Sequence, residues 1–193
     1  MSYRFAPGRA SLRPGLVIAA VLAATALLLH SQGRSWLCSC GYVLLWTGNA
    51  WSADTSQHFA DPYSFTHMLH GFMFCWVLWW IVPKWPLRWR LCLAISAEAL
   101  WEVIENSAYV IERYRAATAA LGYQGDTVIN STGDIIFCGI GFLLAERLGF
   151  RRSLALFLLT EAVLLVLIRD SLLLNILMLI YPLDSIKAWQ TGH

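Results

Sequence analysis

Apolar runs long enough to cross a bilayer recur along this chain, and a spanning helix needs about 20 such residues. In hydrocarbon every backbone polar group must find an internal partner, so runs of this length confine the fold to helices packed on helices. The clearest is LVIAAVLAATALLL at 16–29. Only 13% of the 193 residues are charged while 58% are hydrophobic, and a soluble domain carries about twice that charged share. These proportions exclude a soluble enzyme and a disordered regulator. A net charge of +2 leaves no basic footprint for nucleic acid.

The pattern predicts an all-α membrane bundle of about five spans, at about 14–30, 65–83, 91–111, 130–148 and 153–172, forming one domain over 1–193. The first run is expected to be a retained anchor, because no small-residue cleavage site precedes the polar stretch. The apolar stretch from Ser153 to Tyr181 would be ~45 Å long as one helix. Arg169 and Asp170 interrupt it. The expected arrangement is a span ending near that pair, then an interfacial or re-entrant segment over 173–182; a single tilted helix is the alternative.

Basic residues set the orientation. Arg4, Arg9, Arg13, Lys84, Arg88, Arg90, Arg147, Arg151 and Arg152 account for nine of the 14 Lys and Arg, and all flank the same ends of the spans. The alternate loops hold only Arg34, Arg113 and Arg115. This places the N-terminus in the cytoplasm and the longer loops outside. Tryptophans at 79, 80, 85 and 89, and at 36, 46 and 51, read as two interfacial belts. Cys38 and Cys40 are expected to remain separate thiols, because a disulfide across one residue is strained.

Ionisable groups inside spans are costly, and their depth carries the functional signal. At ~100° per residue, Glu98, Glu102, Glu105 and Tyr109 share one face of the third span. His67 and His70 lie one turn apart on the second, and Asp126, Asn130 and Asp134 follow at i, i+4 and i+8 on the fourth. All fall in the predicted outer half, while the inner halves read as almost purely apolar. The expectation is a polar cavity opening outward.

Three chemistries are open to it. His67, His70, Glu105 and Asp134 could ligate a divalent metal, the candidate cofactor. Glu102, Glu105 and His70 could act as acid and base, with Arg113, Asn130, Asp134 and Arg169 binding a lipid or lipid-linked headgroup drawn from the membrane; Arg115 is an alternative anion holder. An ion or proton pathway ranks last, because the inner halves offer few polar steps. Against all three stands a closed network that only fixes the helices or serves a protein partner. No nucleic-acid partner is expected.

The stretches SQHFADPYSFTHMLHGFMF (56–74), EALWEVIENSAYVIERYRAAT (98–118), GDTVINSTGD (125–134) and IRDSLLLNILMLIYPLDSIKAWQ (168–190) closely resemble a family of uncharacterised bacterial multi-pass inner-membrane proteins. The resemblance implies an integral inner-membrane protein and supplies no activity. Gly133 departs from it, where a serine would be expected. A looser likeness is to VanZ-like proteins, through Asp61 and His67, Glu98 to Glu105, Arg113, then Asp126, Asn130 and Gly133 in order. That likeness points to the cell envelope only.

Overall fold

The computed structural model describes residues 13–118 and 122–192, so Arg4 and Arg9 of the orientation argument lie outside the described residues. It is all-α, with eight helices among the described residues: α1 (Pro14–Ser31), α2 (Ser64–Ile81), α3 (Leu87–Glu105), α4 (Ala108–Ala117), α5 (Val128–Leu148), α6 (Phe150–Ile168), α7 (Leu172–Ile180) and α8 (Asp184–Thr191).

Helices α1 and α5 are long and apolar enough to cross a membrane, and α6 with α7 makes a third candidate if that bent pair is one span. Helices α2 and α3 have the length, but histidines in one and arginines and glutamates in the other dilute their apolar character. Five spans are therefore not established by length and composition. The outward faces are nonetheless apolar, with Leu16, Trp80, Leu100 and Val166 among many exposed large side chains, as a lipid-facing surface requires.

Helices α2 and α5 form the centre, with α3 beside them, α1 against α3, and α6 on the other flank. Glycine makes the central contact close. A Cβ at Gly71 would collide with the Cys138 carbonyl oxygen, and one at Gly141 with the Met68 carbonyl oxygen. Small residues allow such backbone approach between helices. Phe72, Phe142, Leu69 and Phe157 fill the core around the contact. The same reasoning accounts for Gly133, because a Cβ there would strike the Phe59 carbonyl of the first long loop.

Caps fix the helix boundaries. Thr127 Oγ1 accepts from Asn130 N at the start of α5, and Gly149 ends it with φ 72°, the left-handed region that glycine tolerates. The predicted third span is not continuous. Asn106 folds its amide back onto the Glu102 carbonyl, and Ser107 caps a separate α4. The polypeptide turns there, so Tyr109 leaves the carboxylate face and is 78% exposed.

The last apolar run also breaks. Arg169 adopts φ 52°, and α7 departs from α6 at 72°. The helix is interrupted at Arg169 and Asp170, a bend open to a broken span or a re-entrant segment. Glu161 explains why a carboxylate is held in α6. Its two oxygens accept from Leu172 N and Leu173 N at 2.9 and 3.1 Å, satisfying the open N-terminus of α7.

The loop at 32–63 folds over one end of the bundle, here called the loop end. It is tied to the start of α5 by Thr127 N donating to Ser56 O and Val128 N donating to Ser35 O. Asp61 anchors it, accepting from Ser56 N and Tyr63 N at 2.7 Å each. Cys38 and Cys40 are joined in a disulfide, correcting the expectation of separate thiols.

Candidate functional site

A cavity of about 1160 Å³ opens at the loop end, between α2, α3, α4, α5 and α7. Its walls include Met73, Phe74, Leu100, Trp101 and Ile176, and its floor carries His67, His70, Glu105, Asn130 and Asp134. Apolar walls around a few convergent polar groups are the usual form of a ligand site.

The floor is assembled from three helices. Spacing of i, i+4 and i+7 puts Glu98, Glu102 and Glu105 on the buried face of α3. Spacing of i, i+3 turns both histidines of α2 toward them. Glu98 is the hub: His67 Nδ1 lies 2.6 Å from its Oε1, and His70 Nδ1 lies 3.0 Å from both oxygens. Hydrogen bonds to a carboxylate there have each imidazole donate from Nδ1, and in the neutral tautomer Nε2 then carries the lone pair. His67 Nε2 stands 3.9 Å from Asp134 Oδ2, and its Nδ1 is also 3.2 Å from Glu102 Oε1.

The remaining acids divide into satisfied and unsatisfied. Tyr114 donates to Glu105 Oε1 at 2.8 Å, so Tyr114 holds the position that the helical spacing assigns to Tyr109. Asp126 lies in the loop before α5, not on the helix. It accepts from Asn106 Nδ2 at 2.8 Å and from Tyr123 at 3.0 Å, while its own N–H donates to Asn106 Oδ1 at 2.7 Å. Burial still holds the Asp126 carboxyl above its usual range, and the same is true of Asp61 despite two backbone N–H bonds. In contrast, both oxygens of Glu102, Glu105 Oε2, Asp134 Oδ1 and Asn130 Nδ2 are buried without a hydrogen-bond partner. An unpaired buried polar atom costs about 1–3 kcal/mol.

Of the predicted site residues, His67, His70, Glu105, Asn130 and Asp134 line this floor, and Glu102 lies beneath it against His67 and Glu105. The arginines do not join them. Arg113 donates to the carbonyls of Leu179 and Ile180 at the end of α7. Arg169 donates to Trp189 O at 3.0 Å, tying down α8. Arg115 bonds Tyr123 O and Gln124 Oε1. Each is drawn to backbone carbonyls, which are ready partners for guanidinium. Among the described residues, no Lys or Arg lines the cavity. The expectation that Arg113 and Arg169 hold an anion there is corrected.

Two features lay outside the sequence reading. Glu98 was visible as part of the acidic stripe, but its place between both histidines needs the α2–α3 packing. At the opposite end, Arg90 makes a bidentate bridge to Glu146 at 2.9 and 2.7 Å, and Trp79 Nε1 donates to the same carboxylate at 2.6 Å. The inner halves are therefore not purely apolar. The one signal was an arginine and a glutamate near facing helix ends, 56 positions apart.

The chain is similar to uncharacterised proteins from several bacteria. It is 44% identical to a "UPF0314 protein" of Brucella anthropi over 177 residues, covering 92% of this chain and 90% of that protein. It is 46% identical to a "UPF0314 protein" of Sphingopyxis alaskensis over 177 residues, covering 92% and 94%. A third, from Paracoccus denitrificans, is 45% identical over 172 residues, covering 89% of each. No solved structure matches. Residues 29–192, which hold the whole cavity floor, match the family described as "Protein of unknown function (DUF2585)", and the chain belongs to that family.

Proposed function

We propose that this chain is a multi-pass protein of the bacterial inner membrane that binds, in its loop-end cavity, the headgroup of a lipid or lipid-linked envelope molecule. The observation that carries the reading is the cavity's two-part surface, with apolar walls leading to a floor of His67, His70, Glu105, Asn130 and Asp134. That division suits a molecule with an acyl or prenyl part and a polar head. Glu105 offers the floor an acceptor, since Oε2 has no hydrogen-bond partner while Tyr114 fixes Oε1. The basic residues at the Arg90 end favour that end as cytoplasmic and the cavity as outward-facing.

The absence of Lys and Arg from the described lining alters the headgroup expected. A neutral or cationic head fits the acidic floor directly, and a phosphate would need a bridging cation. The closed-network alternative draws on Glu98, whose oxygens are both taken by histidines, but Glu102 and Asp134 do not share that closure.

The test is lipid retention. Protein extracted in mild detergent should carry one lipid class at near-stoichiometric amount by native mass spectrometry. Ala97→Trp, on the cavity wall, should lose it. Bulk membrane lipid in both proteins would defeat the reading. Reporter fusions after residues 35 and 85 should fall on opposite sides of the membrane, the second in the cytoplasm.

A further inference from the structure

We propose that the cavity floor is a binding site for one first-row divalent cation, held by His67 Nε2, Glu102, Glu105 and Asp134, with Glu98 as the carboxylate that orients the histidines. Two overlapping groups offer ligand atoms within 4.8 Å of one another: His67, His70 and Glu98, and His67, Glu102 and Glu105. They are not equivalent. Glu98 is satisfied by two imidazole N–H groups, so the first group is complete without an ion. The second contains the unsatisfied atoms. Glu102 is fully buried with no hydrogen bond to either oxygen, Oε1 having only the 3.2 Å approach of His67 Nδ1, and Glu105 Oε2 and Asp134 Oδ1 are likewise buried without a hydrogen-bond partner.

The charge balance points the same way. Glu102 lies within electrostatic reach of Glu105, Asp126 and Asp134, and His67 is the basic group among them. No lysine or arginine is present in the described lining to neutralise them. A dipositive ion would supply the missing charge and take up the orphaned oxygens together. Metal-bound histidines characteristically donate their other N–H to a carboxylate, which is the relation of His67 to Glu98. Imidazole nitrogen with carboxylate oxygens suits Zn²⁺, Mn²⁺, Fe²⁺ or Co²⁺ better than Mg²⁺ or Ca²⁺. Asn130, whose Nδ2 is unpartnered, stands at the same floor as a donor to a ligand of the ion.

Cys38, Cys40 and His58 form a third group of metal-ligating type. The two sulfurs are bonded to each other, and His58 accepts from Leu44 N. That group is a control, not a rival.

The experiment uses the full chain without a polyhistidine tag, stripped with chelator in detergent and titrated with Co²⁺ while visible absorption is followed. One Co²⁺ per chain should bind, giving d–d bands that Zn²⁺ abolishes. Glu102→Gln and Asp134→Asn should each weaken binding at least tenfold, and Glu98→Gln roughly 10–100-fold, while His58→Ala changes nothing. In metal-free protein, Glu102→Gln should melt no lower than wild type, because it removes an unpaired charge. No stoichiometric Co²⁺ in monodisperse wild-type protein overturns the site, whether or not the variants fold. So does binding that His58→Ala removes and Glu102→Gln spares. The lipid reading fails separately: retained lipid without cation binding removes this site alone, and cation binding without lipid removes only the headgroup.

Discussion

Two clusters of charge lie at opposite ends of the same three helices, and they are built on opposite terms. At one end Arg90 and Glu146 meet face to face, with Trp79 donating to the same carboxylate. Positive and negative charge are equal there, and the geometry is bidentate. At the loop end, Glu98, Glu102, Glu105, Asp126 and Asp134 face two histidines, and four carboxylate oxygens have no hydrogen-bond partner. A cluster that only held helices together would be expected to resemble the first. The comparison teaches that burial of charge is not itself the functional signal. The signal is an imbalance that the protein does not correct with its own residues.

Breaking the balanced end should cost the most. Arg90→Met leaves Glu146 uncompensated and should lower stability by about 1.5–3 kcal/mol, the range for hydrogen bonds to a charged group, read as a drop in melting temperature or in the midpoint of denaturant unfolding. Equal melting of wild type and variant would show that the bridge contributes nothing net. Between the two clusters, Gly141→Ala places a methyl against the Met68 carbonyl and should cost ~2 kcal/mol through overpacking. A smaller loss than Arg90→Met, with cation binding preserved, would separate frame from site.

At the unbalanced end the sign should reverse. Glu102→Gln relieves like-charge repulsion and should raise metal-free stability by roughly 1 kcal/mol. A loss of that size would make Glu102 an ordinary structural partner and erase the contrast.

The smallest effect concerns pH. Asp126 and Asp61 are held above their usual range by burial, so their ionised forms are disfavoured in the fold. For such a group stability is full below the unfolded value, about 3.9, and is lost as pH rises through the raised folded value. Wild type should therefore lose stability as pH rises above the unfolded carboxylate value, and Asp126→Asn should lose less. An identical pH slope in the two would remove Asp126 from the account.

Periodicity made part of this legible. The acidic face of α3 and the paired histidines of α2 follow from 3.6 residues per turn, and both need only local spacing. Tyr109 was misplaced because Asn106 turns its side chain back on Glu102 O and ends the helix, a choice that periodicity does not encode. Arginine identity told that Arg113 and Arg169 carry charge but not that carbonyls of α7 and α8 would claim them, since those partners come from distant segments. Arg90 read as a topogenic loop charge until the packing of α3 on α5 brought Glu146 to it. Long-range pairing, not residue chemistry, was the missing information.

The paired glycines of the central contact bear on how the floor is held. Gly71 sits under the Cys138 carbonyl and Gly141 under the Met68 carbonyl, so α2 and α5 are keyed at two points. Sliding by one turn, about 5.4 Å, would bring side chains such as Phe74 or Leu144 onto backbone. The histidines on one helix and Asp134 on the other therefore keep a fixed spacing whatever the rest of the bundle does. Across the cavity stands α7, which leaves α6 at the Arg169 bend and is held by Glu161 at its start and by Arg113 at its end. The floor is an anvil, and α7 is a separately fastened wall beside it.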